Sequence, residues 1–417
     1  MHEASAAKTG YRDLLPEKNY LKNVIAGTIS RFGDSIDSIA YPWMTYDITG
    51  SAALSAVVFG TNLLVSVVLQ PFTGALITHW NKKPILVYAD AARGLLVALV
   101  ALLFVFALLQ PWMIIAATVL TSTLEAFRQP AAMAVYPQIV PREKYTLATS
   151  FSGTVQRIAE IVGLAIAGTI IAVWGVNGAL LVDAVTFFAS AAILTSLRLP
   201  KHEKAAVAAP LKAFLDDTKD GFAYVAKHKV ILAISISACA LNATFVPLSA
   251  LQAAYIAEGL KLDAQALSAS SLGMTVGMVL GSFLFPKFAA KFKRFHILFI
   301  SILVCTATYL GLAGIAFLPV DAAKWIGLVL VMLVMGFSTA AANNCVSVAF
   351  MENVEGAYLA RASGILGSMC LAAMPVCSFI VAGIAKLVPV VTLIMGFGVV
   401  AVALSFAFLL VKPLKRM

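Results

Sequence analysis

About twelve times along this chain, a run of roughly twenty or more apolar residues recurs, each long enough as a helix to cross about 30 Å of hydrocarbon. In lipid the backbone must bond within its own segment or within a closed barrel, so such a run is a spanning helix or a barrel strand. The apolar runs are continuous and lack the period-two alternation of barrel strands. The expected class is therefore all-α and integral to the membrane, with twelve transmembrane helices. Only 12% of residues are charged and 61% are hydrophobic, against about 25% charged in an ordinary soluble domain. Spans are predicted at 20–46, 53–78, 84–108, 112–136, 147–173, 177–197, 230–257, 264–286, 295–318, 322–350, 358–385 and 388–411.

Orientation follows from the basic residues, because Lys and Arg near short loops stay in the cytoplasm. One side carries Lys8, Arg12, Lys18, Lys22, Lys82, Lys83, Arg142, Lys144 and the cluster at 287–294, together with the central loop and the C-terminal tail; the other has Lys261, Lys324 and Lys386. Both termini are expected in the cytoplasm, and the formal charge of +10 is a consequence of topology rather than of nucleic-acid binding. The polar stretch before Tyr20 has no apolar core with a cleavage site, so the first span is read as its own targeting signal.

The domain reading has five parts. A cytoplasmic tail covers 1–19, a first six-helix bundle 20–197, a charged central loop 198–229, a second six-helix bundle 230–411 and a short cytoplasmic tail 412–417. Within the loop, residues 211–229 alternate apolar and charged positions and are expected to form an amphipathic helix on the inner membrane surface. Gly273, Gly277 and Gly281, like Gly163 and Gly168, mark places for close helix crossing, either as static packing or as smooth surfaces for rocking motion. Pro42, Pro71, Pro130, Pro247 and Pro375 permit local kinks. The five cysteines all fall in spans of the second half without metal-ligand spacing, and are read as small core residues.

The polar residues inside the spans are concentrated in the first half. Arg31, Asp34 and Asp37 share one face of the first helix, and further inside lie Asp90 and Arg93, Glu125 and Arg128, Arg157 and Glu160, and Asp183. Each such charge costs roughly 2.5–3.5 kcal/mol at a helix centre, so these groups must face a partner or water. Spacing suggests pairing along each helix, Arg31 with Asp34 and Asp90 with Arg93, leaving Asp37 as the excess carboxylate. A carboxylate without a fixed partner in low dielectric is the kind that binds and releases protons. Asp34 and Asp37 are therefore the candidate proton carriers, with Glu125 and Glu160 as further coupling candidates that compete for a cationic substrate. Arg31 and Arg157 are read as lining a substrate cavity, opposite Asn242, Phe245, Asn343 and Asn344 of the second half, with Gln252, Met274, Met278 and Phe337 near them. Asp90, Arg93, Arg128, Lys82 and Lys83 are read as gating or structural charges.

These residues, with Tyr46-Asp47-Ile48-Thr49-Gly50, Gln70-Pro71-Phe72-Thr73-Gly74, Trp80-Asn81-Lys82-Lys83 and Arg128-Gln129-Pro130-Ala131, give a pattern that resembles the major facilitator superfamily. More narrowly it is similar to the macrolide-efflux and siderophore-exporter branch of drug-proton antiporters, over about residues 24–235. The resemblance implies two six-helix bundles with alternating access, a monomer, no cofactor, and no enzymatic activity. It implies export of a small amphipathic compound across a bacterial-type inner membrane in exchange for H⁺ or Na⁺, as in multidrug resistance. In the loop signature between the second and third spans, Thr78, His79 and Asn81 stand where the family has Asp, Arg and Gly, while Lys82 and Lys83 remain.

The alternatives are an exporter or flippase for a metal ion or a lysophospholipid on the same fold, and a non-transporting sensor or scaffold. Metal is disfavoured because His79, His202, His228 and His296 sit at cytoplasmic helix ends and no His or Cys cluster falls in the spans. No phosphate-binding loop is present to drive transport by nucleotide hydrolysis.

Overall fold

The computed structural model describes residues 14–77, 80–141, 144–199, 223–354 and 359–407. Residues 211–222 of the expected amphipathic helix, both chain ends, Thr78, His79 and Arg142 lie outside them, while 223–227 of that stretch are helical. Twelve helical spans follow one another: α1 (Lys18–Thr49), α2 (Ala52–Ile77), α3 (Lys82–Val105), α4 (Pro111–Ile139), α5 (145–174), α6 (176–195), α7 (Lys229–Ala254), α8 (Ala264–Ala289), α9 (Arg294–Ile315), α10 (Asp321–Asn353), α11 (Leu359–Ile384) and α12 (Val390–Ala407). The chain is an all-α membrane protein. α5 and α6 are separated by a single backbone break at Gly175, whose φ of 69° and ψ of 178° suit a residue without a Cβ. α1, α7 and α11 run on through Pro42, Pro247 and Pro375. α7 passes directly into a π-helical turn, Tyr255–Leu260, capped by Lys261 in the left-handed conformation.

Among the described residues, seven helical stretches are long and apolar enough to cross a membrane by length and composition, one of them Leu147–Thr195 with its internal break. Among the remaining spans, α1 and α4 carry interior charges and α11 and α12 hold shorter apolar stretches.

The described residues group into two compact units, 14–41 with 68–199 and 42–67 with 223–407, so the division passes through α1 and α2. In the first unit α3 packs on α4 and, through Asp90, Arg93 and Gly94, on α6. Its core at one end gathers Leu14, Tyr20, Val24, Leu86, Val135 and Leu194. There Tyr20 donates to the Ala148 carbonyl at 2.8 Å, Lys22 reaches the Ser196 carbonyl at 2.9 Å, and Lys144 pairs with Glu17 at 2.8 Å. The start of α1 is thereby tied to the start of α5 and the end of α6.

The second unit is built on α8 against α10, with α9 between α10 and α12 and α7 against α11. Small residues make the first contact possible. A Cβ on Gly273 would meet the Val329 carbonyl oxygen at 3.0 Å, one on Gly277 the Phe337 nitrogen at 3.0 Å, and one on Gly281 the Phe337 Cα at 3.0 Å. Gly336 answers from α10, where a Cβ would meet Met274 Cα at 3.1 Å. This small-xxx-small ridge brings backbone onto backbone, the arrangement that gains most from dispersion in lipid. The glycines expected at a close crossing are thus used inside one unit, as packing. Also within this unit, Tyr46 donates to Glu258 at 3.3 Å and Ser378 donates to the Ala56 carbonyl at 2.7 Å, joining the hairpin 42–67 to it. All five cysteines are free thiols, with Cys305 and Cys345 buried.

Candidate functional site

The interior charges of the first unit come together from five helices. Gly33 and Gly163 make this possible. A Cβ on Gly33 would overlap Asp183 and Thr186 of α6, and one on Gly163 would lie 2.8 Å from the Phe32 carbonyl oxygen and Ser35 Cβ. α1 is therefore seated closely against α5 and α6, and its short Asp side chains can be reached from neighbouring helices.

Arg93 of α3 is the hub. Its Nη2 donates to Asp34 Oδ1 at 2.7 Å, and its Nη1 lies 2.7 Å from Glu125 Oε2, an ion pair whose angle falls outside hydrogen-bond geometry. The guanidinium carbon also lies 4.2 Å from the centroid of the Phe187 ring, adding a cation–π contact from α6. With its side chain only 11% exposed, Arg93 joins α1, α3, α4 and α6. Glu125 accepts a hydrogen bond from Gln129 at 2.6 Å.

One turn away along α3, Asp90 is fully buried. Arg128 of α4 donates to both of its oxygens, from Nε to Oδ1 and from Nη2 to Oδ2 at 3.3 Å, while Ser190 of α6 donates to Oδ2 at 2.7 Å. A third group lies between α1 and α5, where Glu160 Oε2 takes Arg31 at 2.9 Å and Arg157 at 2.8 Å.

Two pairings expected along single helices are therefore corrected. Arg31 does not neutralise Asp34, and Asp90 does not pair with Arg93. Aspartate is too short to choose its partner by helix spacing alone, and a planar guanidinium from the adjacent helix offers a forked, better-directed donor. Glu160, expected to be open to a cationic substrate, is held by two guanidiniums. Asp37 does stand as the excess carboxylate. Its Oδ1 is buried without a hydrogen-bond partner, and it feels repulsion from Asp34 and attraction from Arg93.

Asp183 was not among the sequence-derived candidates, yet it belongs to the same cluster. It is fully buried, its Oδ2 has no hydrogen-bond partner, and Asp37, Asp34 and Arg93 are its electrostatic neighbours. Its signal was a lone carboxylate in the apolar run Leu180-Leu181-Val182-Asp183-Ala184-Val185, which in a membrane span is a functional candidate by default.

A cavity of about 450 Å³ opens beside these groups, lined from α1, α3, α4, α5 and α6 and reaching from Asn23 to Asp34. It includes Arg31, Arg128, Arg157 and Glu160, whereas Asp37 and Asp183 are not among its lining residues. Lys82 is buried at the start of α3, and Lys83 donates its backbone N–H to the Asn81 cap at 3.2 Å. The second-half candidates have local roles in their own unit. Asn242 bonds back to Ala238 at 2.9 Å, Phe245 packs on a buried cluster, Asn343 is exposed and Asn344 half-buried. Gln252 donates to Ser270 at 2.9 Å, and Phe337 packs edge-on against Phe288.

The sequence matches the family described as Major Facilitator Superfamily over residues 24–377. This chain belongs to that superfamily. Among characterised facilitator proteins it is 25% identical to macrolide efflux protein A of Streptococcus pyogenes over 352 residues, 84% of each chain. It is 27% identical to the staphyloferrin A transporter of Staphylococcus aureus over 192 residues, 44% of this chain and 47% of that one. In fold it is similar to the crystal structure of the nucleoside transporter NupG, with a TM-score of 0.73 at 14% identity over 94% of this chain and 98% of the other. The chain is thus a facilitator-superfamily transporter and a multi-pass membrane protein.

Proposed function

We propose that this transporter exports a small organic compound by alternating access, exchanging it for protons carried by Asp34 and Asp37. The observation that carries the reading is the state of Asp37, a carboxylate with a buried oxygen lacking any hydrogen-bond partner, one turn from an Asp34 that shares Arg93 with Glu125. An ionised group so placed is costly, whereas a protonated one is neutral and can donate. Proton uptake at Asp37 relieves repulsion on Asp34, and Asp34 in turn sets the hold on Arg93. The similarity to macrolide efflux protein A supports the direction of transport. On this reading the protein lies in the cytoplasmic membrane of a bacterial-type cell with both termini inside and works as a monomer, with bundles at 20–197 and 230–411.

The test uses inside-out vesicles with an imposed proton gradient and two radiolabelled probes, erythromycin and citrate, of which at least one is expected to move. Gradient-driven uptake is expected in the wild type and is lost in Asp37→Asn or Asp34→Asn. Uptake that persists unchanged in both variants removes these two carboxylates from the coupling.

A further inference from the structure

The cavity of the first unit has a sign. Of the charges that line it, Arg128 is closed on Asp90 and Asp34 on Arg93, both of those arginines having side chains only 11% exposed. Three guanidiniums, Arg31, Arg128 and Arg157, face two carboxylates, Asp34 and Glu160, and those not already closed on a partner behind the lining are Arg31, Arg157 and Glu160. The two guanidiniums are 44% and 53% exposed and Glu160 only 15%, so the face offered to a ligand is cationic. Both arginines bond to the same oxygen, Glu160 Oε2, which leaves most of their N–H donors directed elsewhere. The negative surplus of the cluster, Asp37 and Asp183, does not line this space.

The lining is also polar. Twelve of its seventeen residues are polar or charged, Gln156, Ser30 and Asn23 among them, and its one aromatic, Tyr136, spends its hydroxyl on Ser152 at 2.7 Å. Pockets for lipophilic drugs are mostly apolar and aromatic, so this space suits a different ligand.

We propose that Arg31 and Arg157 form an anion subsite, and that the compound carried is a small polar organic acid whose carboxylate groups dock on these two guanidiniums. The inference rests on the transporter reading and names its substrate class. Guanidinium matches carboxylate with two parallel donors, and each charge-assisted bond is worth about 1.5–3 kcal/mol. The 450 Å³ available holds a molecule of a dozen or so heavy atoms, by comparison with the range of about 300–1,000 Å³ for drug-sized ligands. Gln156 supplies neutral hydrogen bonds to its remaining oxygens.

The test is calorimetric titration of the purified full-length protein in detergent with citrate, with its neutral trimethyl ester, and with tetraphenylphosphonium as a lipophilic cation. Citrate is expected to bind, the ester not, and added salt to weaken the binding. Arg31→Gln and Arg157→Gln each raise the citrate Kd about tenfold or more, and Arg157→Lys recovers part of the loss. The lysine variant keeps the test decisive where a glutamine variant fails to fold. No citrate binding, equal binding of the ester, or unchanged binding in both glutamine variants overturns the proposal, as does tetraphenylphosphonium displacing citrate from the same site with higher affinity. Binding in detergent needs neither gradient nor turnover, so its failure leaves proton-driven export standing, and failure of export leaves the anion subsite standing.

Discussion

Replacing Arg128 by Gln leaves a carboxylate sealed between α3, α4 and α6 without its cation. Asp90 is fully buried and takes three hydrogen bonds, two from Arg128 and one from Ser190. At the 3.3 Å separation of the Nη2 to Oδ2 bond and an effective dielectric constant near 20, the attraction lost is about 5 kcal/mol. Removing one partner of a buried pair commonly costs about 3–5 kcal/mol, because the other charge is left uncompensated. Arg128→Gln is therefore expected to lower the unfolding free energy by about 3–5 kcal/mol, read by SDS titration of the purified protein in mixed micelles. The double variant Asp90→Asn, Arg128→Gln removes both charges while an amide oxygen still accepts from Ser190. It is expected to lie within about 1–2 kcal/mol of the wild type, since a buried ion pair contributes little over a neutral replacement. A loss below about 1 kcal/mol in Arg128→Gln, or a double variant no better than the single one, would refute the claim that this pair is desolvated and mutually dependent.

Two further outcomes follow from the same structure. Gly277→Ala places a methyl against the backbone of Leu333 and Phe337 and is expected to cost about 1–3 kcal/mol in the same titration, whereas Gly314→Ala, with open space around it, should be near neutral. Asp183→Asn removes a buried carboxylate that has an unpartnered oxygen and acidic neighbours, and should raise stability by about 1–3 kcal/mol; a destabilised variant would show that the charge of Asp183 is needed by Arg93.

The helices were legible in the sequence because membrane thickness dictates their length. Even the break between α5 and α6 was marked, by Trp174-Gly175-Val176-Asn177-Gly178 between two apolar runs. That the first half holds the interior charge was equally plain, since Arg31, Asp34, Asp90, Arg93, Glu125 and Arg128 can hardly be mistaken in such a background. What spacing did not contain was who pairs with whom. Helix periodicity relates residues three or four apart, whereas Asp34 finds its partner 59 positions away and Arg31 finds Glu160 across 129. Those choices depend on how closely α1 approaches α5 and α6, and therefore on Gly33 and Gly163, whose meaning appears only with their neighbours in place.

The glycine ridge between α8 and α10 has a mechanical consequence. Two helices whose carbonyls and Cα atoms touch at Gly273, Gly277, Gly281 and Gly336 have no side-chain cushion to shear, so any axial slip drives backbone atoms over one another. The pair behaves as a single stiff beam about two turns long. Bending in the second unit is left to elements without such a seam, such as the π-helical turn at Tyr255–Leu260, where the hydrogen-bond ladder already departs from the α register.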